Sequence, residues 1–105
     1  MDQLGLVLVT TSSEAEAKLI ASALVEIKLA ACVTMFPVQS VYRWQGEIHH
    51  DSEFQLVIKT DLTHFSTLEA RVRELHSYEV PEIVAIAITT GSAPYLSWLQ
   101  AQVAH

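Results

Sequence analysis

The sequence predicts an α+β domain: an antiparallel sheet with helices on one face and one unusually long β-hairpin. Three observations point there. Strand-like and helix-like patterns follow one another in the order βαββαβα. Two strand-like stretches of about 14 residues meet at Gln45-Gly46, a two-residue hairpin turn in which Gly supplies the positive φ. The chain has 105 residues, half of them apolar, which makes one domain (residues 1–105) with a real core and excludes a disordered chain.

Leu4 to Val9 is apolar and β-branched enough for a buried strand, and Thr10-Thr11-Ser12-Ser13 ends it. Ser13 with Glu16 reads as a capping box, opening a helix whose apolar face carries Ile20, Ala23, Leu24 and Ile27 and which runs to about Lys28. The hairpin arms are Ala31 to Trp44 and Glu47 to Thr60. Phe54, Leu56 and Ile58 alternate on one face, with Gln55 and Lys59 on the other. Pro37 calls for an edge position or a bulge. Extended at ~3.3 Å per residue, each arm approaches about 45 Å, against a radius of gyration of about 13 Å for a domain this size. The hairpin therefore bends sharply or projects beyond its own domain.

After Asp61 a second helix carries Phe65, Leu68, Val72 and Leu75 on one stripe. Pro81 precedes a last strand, Ile83 to Thr90, whose apolar run suits burial on both sides. Gly91 and Pro94 separate it from a short helix with Tyr95, Leu96, Trp98 and Leu99. Without that final helix, this order is the split-βαβ, ferredoxin-like plan.

Charge and composition narrow the function. Acidic residues outnumber basic ones 12 to 6, a formal charge of −6, so the chain lacks the basic footprint of nucleic-acid binding. Charged residues make up only 17%, below the usual ~25%; a surface so poor in charge suggests cover by other copies of the chain. The single cysteine, Cys32, excludes an intrachain disulfide. The start of the chain lacks a basic region, and no apolar run nears the ~20 residues of a membrane span. A soluble, cytoplasmic, self-associating protein is expected, with no nucleic-acid and no membrane partner.

Few residues can carry chemistry. There is no Gly-rich phosphate loop, no G-x-S-x-G and no H-E-x-x-H. Cys32, in Leu29-Ala30-Ala31-Cys32-Val33, is either a small buried hydrophobe or a soft ligand for copper or zinc that needs partners from elsewhere. His76 either caps the second helix or joins Tyr78, Glu79 and Glu82 in a polar pocket. As a nucleophile activated by His76, Cys32 would sit poorly on an apolar strand, so an enzyme is not expected. His49 and His50 point to opposite faces of a strand and do not form a doublet; Glu47, His49, Asp51 and Glu53 share a face that is either solvated or grips a weak divalent ion. The hydroxyls of Thr10 to Ser13 cap a helix or, with Lys59 adding charge, hold an anion. Tyr42-Arg43-Trp44, at the hairpin tip, combines aromatic and Arg residues as interfaces do, and Trp98 is a further interface candidate.

Three segments carry a resemblance. Leu29–Val33, Ser40-Val41-Tyr42-Arg43-Trp44-Gln45-Gly46-Glu47, and the run from Leu68 through His76-Ser77-Tyr78-Glu79-Val80-Pro81-Glu82 to Val84 closely resemble the CutA divalent-cation-tolerance family. Val7–Thr11 and Tyr95–Leu99 fit as well, so the likeness spans roughly residues 6 to 99. It implies a ferredoxin-like subunit in a homotrimer, similar in architecture to the PII signalling proteins, and a link to copper and other divalent cations. Cys32 and His76 match family positions considered as ligands. The first functional expectation is therefore a non-enzymatic trimer that responds to metal ions, with Cys32, His76, Glu79 and Glu82 as ligands. The alternative is a PII-like carrier or sensor holding a small molecule between subunits, with Lys59, Tyr78, Trp44 and Glu79 lining the cleft.

Overall fold

The computed structural model describes residues 3–104; Met1, Asp2 and His105 lie outside the described residues. Strand β1 (Leu4–Thr11) leads into helix α1 (Glu14–Glu26), then strands β2 (Cys32–Trp44) and β3 (Glu47–Asp61). A single 3-10 turn, Leu62–His64, feeds helix α2 (Phe65–Leu75), followed by β4 (Val84–Ala87) and helix α3 (Ala93–Gln102). The sheet order is β2-β3-β1-β4 with every neighbour antiparallel, which is the ferredoxin-like arrangement expected.

Alternation along β1 and β3 builds the core. Val7 lies opposite Ile58 and Val9 opposite Leu56, all four fully buried. Ile20 and Leu24 of α1 and Leu68 and Val72 of α2 close over them, at helical spacing. Lys28 ends the α1 segment with a φ of 62°, a left-handed position that stops the helix at Glu26. Gly5 is required by close approach. A Cβ there would lie 2.5 Å from the Leu62 side chain and 2.8 Å from the Ile86 carbonyl oxygen.

The hairpin projects rather than bends. Its register runs unbroken from Cys32 opposite Lys59 to Trp44 opposite Glu47, and it turns through Gln45 and Gly46 at φ 51° and 81°. Pro37 needs no bulge, because β2 is an edge strand. The last residue of β1 pairs Thr11 with Phe54, so β3 from Glu53 back to the turn has β2 as its only neighbour. The chain is accordingly elongated, 44 × 25 × 21 Å.

One expectation is overturned. The last strand is not a long one buried on both sides. It is the four-residue β4, with Val84 and Ile86 about half exposed in the single chain. It occupies an edge, with β1 as its only neighbour, so its apolar run lacks a second strand and a second layer. Val84 lies opposite Leu8 and Ile86 opposite Leu6, on the face away from the core pairs Val7–Ile58 and Val9–Leu56. On this second face Phe36 of β2 is exposed as well.

Candidate functional site

The site forms where β1 stops. Helix α2 ends at Leu75, and His76 turns the chain into extended backbone. The His76 side chain is fully buried. Its Nδ1 accepts from the Tyr78 N–H at 3.0 Å, and its Nε2 lies 2.7 Å from the Thr10 carbonyl oxygen. These partners assign the proton to Nε2, which donates to Thr10, and so define the neutral tautomer. Glu16 adds a second tie. The Ser77 N–H donates to its Oε2 at 3.1 Å, while its Oε1, buried without a hydrogen-bond partner, sits 3.7 Å from His76 Nδ1. Only half of the predicted capping box is formed: Ser13 Oγ accepts the Glu16 N–H, but the Glu16 carboxylate serves the loop instead.

Thus held, residues 77–82 lie against the projecting ribbon. The Tyr78 hydroxyl donates to Glu53 Oε2 at 2.7 Å, and the Tyr42 hydroxyl donates to Asp51 Oδ2. The Tyr42 ring stacks on His49 at 5.4 Å. The shared face of Glu47, His49, Asp51 and Glu53 is therefore committed in part to tyrosines rather than wholly solvated. Burial and the hydrogen bond to Glu53 push the Tyr78 phenol above its ordinary value of 10.0. The Tyr42 phenol is raised too, chiefly by its bond to Asp51.

Between loop and ribbon lies a cleft of about 700 Å³. Tyr42, Trp44 and Tyr78 provide aromatic walls, and Glu53, Glu79 and Glu82 the charge. Trp44, Tyr78 and Glu79, expected in a ligand cleft, are together here, and so is Glu82. Lys59 is not, and that placement needs correcting. It stands opposite Leu6, far down β3, where its Nζ donates to the Tyr95 hydroxyl of α3 at 3.1 Å. That bond is the main cause of its raised pKa. Six residues of β3 separate it from Glu53, about 20 Å at ~3.3 Å per residue. Lys59 also stands four or more residues of register, at least about 13 Å, from Thr10–Ser13, where the Ser13 hydroxyl caps α1 and the Thr11 hydroxyl donates to the Ser13 carbonyl.

Cys32 also lies elsewhere. Its half-buried free thiol belongs to the residue opposite Lys59, whereas Thr10, the His76 partner, stands level with Gln55. The offset is four residues of register, about 13 Å along the sheet. Among the described residues no group of three His, Cys, Asp or Glu side chains could hold a metal ion. Both His76 nitrogens are engaged, so a ligand role would break one of its bonds. A Cys32–His76 centre does not fit within one chain. At the tip, Tyr42 and Trp44 are exposed toward the cleft side, Arg43 alternates to the other face, and Trp98 is exposed beside Tyr95 on α3.

Sequence reasoning missed the roles of Glu53 and Glu16. Glu53 reads as one more strand-face carboxylate, yet it is only 6% exposed. The signal that separates it from its neighbours is its position, first on β3 beyond the end of β1, and that needs the β1–β3 register.

Fold and site together define an α+β protein of ferredoxin-like topology with a cleft between its long hairpin and the α2–β4 loop. A family model described as the CutA1 divalent ion tolerance protein matches residues 5–102. The chain is 52% identical over 95 residues to the divalent-cation tolerance protein CutA of Thermus thermophilus, across 90% of this chain and 92% of that one. Among solved structures, the periplasmic divalent cation tolerance protein CutA of Archaeoglobus fulgidus superposes with a TM-score of 0.93 at 38% identity. That superposition covers 95% of this chain and 98% of the other. A solved structure of the Thermus thermophilus divalent cation tolerance protein gives 0.91 at 49% identity, over 94% and 97%. The chain belongs to the CutA divalent-cation tolerance family. These relatives favour that reading over a PII-like carrier, and they are named as tolerance proteins rather than enzymes. No helix among the described residues is long and apolar enough to cross a membrane.

Proposed function

We propose that this protein acts in tolerance to divalent cations as a non-enzymatic homotrimer in the cytoplasm. The near full-length match to proteins named for that role carries the reading. Self-association is supported by the apolar second face of the sheet, by the open edge of β4 and by the unaccompanied ribbon. A two-stranded ribbon in water is at best marginal by itself, and an apolar sheet face seeks cover. The number three comes from the family resemblance. A single cysteine suits a reducing compartment.

For the metal itself, Cys32 supplies the soft donor, and Glu79 and Glu82 supply carboxylates. Their separation within one chain means that a joint centre draws on two copies, with His76 shaping the loop or giving up one of its hydrogen bonds. Native mass spectrometry before and after stoichiometric copper tests the proposal. A trimer near 35 kDa, three times the 11.7 kDa chain, should take up copper in fixed proportion. Cys32→Ala combined with His76→Ala should abolish that uptake. A monomer would defeat the assembly, and unchanged copper affinity in the double variant would defeat the ligand assignment.

A further inference from the structure

We propose that the cleft between the hairpin and the α2–β4 loop is a binding site for a small organic ammonium ion, at a place in the fold apart from Cys32. The charge of the cleft is one-sided. Glu53, Glu79 and Glu82 line it, and no Lys, Arg or His does. Glu53 is the decisive residue. It is 6% exposed, its carboxylate accepts one side-chain hydrogen bond, from Tyr78, and no cation pairs with it among the described residues. A buried carboxylate normally has a cation or several donors to offset its lost hydration. The cleft leaves that compensation to a ligand.

The remaining walls say what kind of cation. Trp44, Tyr42 and Tyr78 offer aromatic surface, and Val41 and Val80 offer apolar surface. A hydrated metal ion gains nothing from such walls. An ammonium ion on a hydrocarbon stem uses both parts of the site: its N–H groups meet the carboxylates, and its stem and charge meet the rings. The volume of about 700 Å³ is in the range of small-molecule sites.

The experiment is a calorimetric titration of the full chain, in its native assembly, with three probes at matched ionic strength. They are 1,4-diaminobutane, its uncharged counterpart 1,4-butanediol, and magnesium chloride. The diamine should bind saturably, one per chain, and the diol at least about tenfold more weakly. Glu79→Gln with Glu82→Gln, and separately Trp44→Ala, should each weaken the diamine about tenfold. These residues lie outside the buried core, so their replacement leaves it intact. Glu69→Gln, a control on α2 outside the cleft, should change nothing. The inference is overturned if the diamine does not saturate, if the diol matches it, or if Glu69→Gln weakens it as much as the cleft variants. Stoichiometric displacement of the diamine by magnesium would also overturn it, making the cleft an inorganic-cation site. Trp44→Ala touches no proposed metal ligand, so its effect on the diamine is distinguishable from copper uptake, which the mass measurement reads separately.

Discussion

The two ends of β3 are built from one continuous ladder and behave as different materials. At the end near Asp61, Leu56 and Ile58 are fully buried, with β1 on one side and β2 on the other under the two helices. At the end near the turn, Ile48 is well exposed, and the backbone pairs with β2 alone. Pairing with β2 runs through both ends; the second partner strand and the burial of side chains belong to the first end alone. Pairing defines the shape of the hairpin, while apolar contact sets how firmly it is held. The firm end carries the fold, and the exposed end, with Tyr42 and Trp44 of its β2 partner, presents Glu53 to the loop and the cleft.

The largest test of this contrast is truncation at each end. Leu56→Ala should cost about 3 kcal/mol in urea unfolding, through lost burial and a residual cavity. Ile48→Ala should cost less than about 0.5 kcal/mol in the chain itself while weakening assembly. The two variants are compared at matched protein concentration, since association adds to apparent stability. Equal losses would erase the distinction.

Two glycines sharpen it next. Gly5→Ala drives a methyl group into Leu62 and the Ile86 carbonyl and should cost about 2 kcal/mol. Gly46→Ala meets no atom within 4 Å, so only its φ of 81° is penalised, by about 1 kcal/mol. The midpoint of thermal unfolding should drop further for the first.

Asp61, at the end of the firm half, gives the pH signature. Burial by itself raises its pKa, but hydrogen bonds from the Thr63 N–H and hydroxyl, from Gln100 and from the Gln3 N–H outweigh it, and the net shift is downward. Such a carboxylate adds stability above the ordinary aspartate range and loses it as pH falls through the folded-state value. Asp61→Ala should therefore cost about 1 kcal/mol near neutral pH and progressively less in acid, read from unfolding curves over that range.

The smallest contrast lies between two tyrosine–carboxylate pairs. Tyr78→Phe removes the donor from buried Glu53 and should cost about 1 kcal/mol. Tyr42→Phe, whose pair is exposed, should leave the midpoint unchanged. In an alkaline absorbance titration, Tyr78→Phe should delete a phenol that ionises late, because burial and Glu53 hold it protonated beyond the ordinary range.

Much of this was legible in the residues. The period-two run Phe54, Leu56, Ile58 and the helical stripe Phe65, Leu68, Val72, Leu75 announce the elements and the buried face. Gln45-Gly46 announces the turn between the long arms. The strand Val84–Ala87 misled because an apolar run is the same string whether it is enclosed or lies on an edge. Which one holds depends on neighbours that no local pattern names. Lys59 misled for a related reason: the end of a strand does not say which other strand's end lies beside it.

The order of elements, the length of the hairpin, the core stripe of α2 and the family are readable from the residues alone, because each rests on periodicity or on contiguous positions. Of the α1 stripe Ile20 and Leu24 are buried, while Ile27 lies beyond the helix end and is exposed. It took the packed fold to establish that His76 is locked between Thr10 and Tyr78, that Cys32 stands about 13 Å down the sheet from it, and that Glu53 is buried. Those facts follow from strand register and from where β1 stops. Register is set by the packing of one whole face against another, a property of pairs of segments rather than of any one of them.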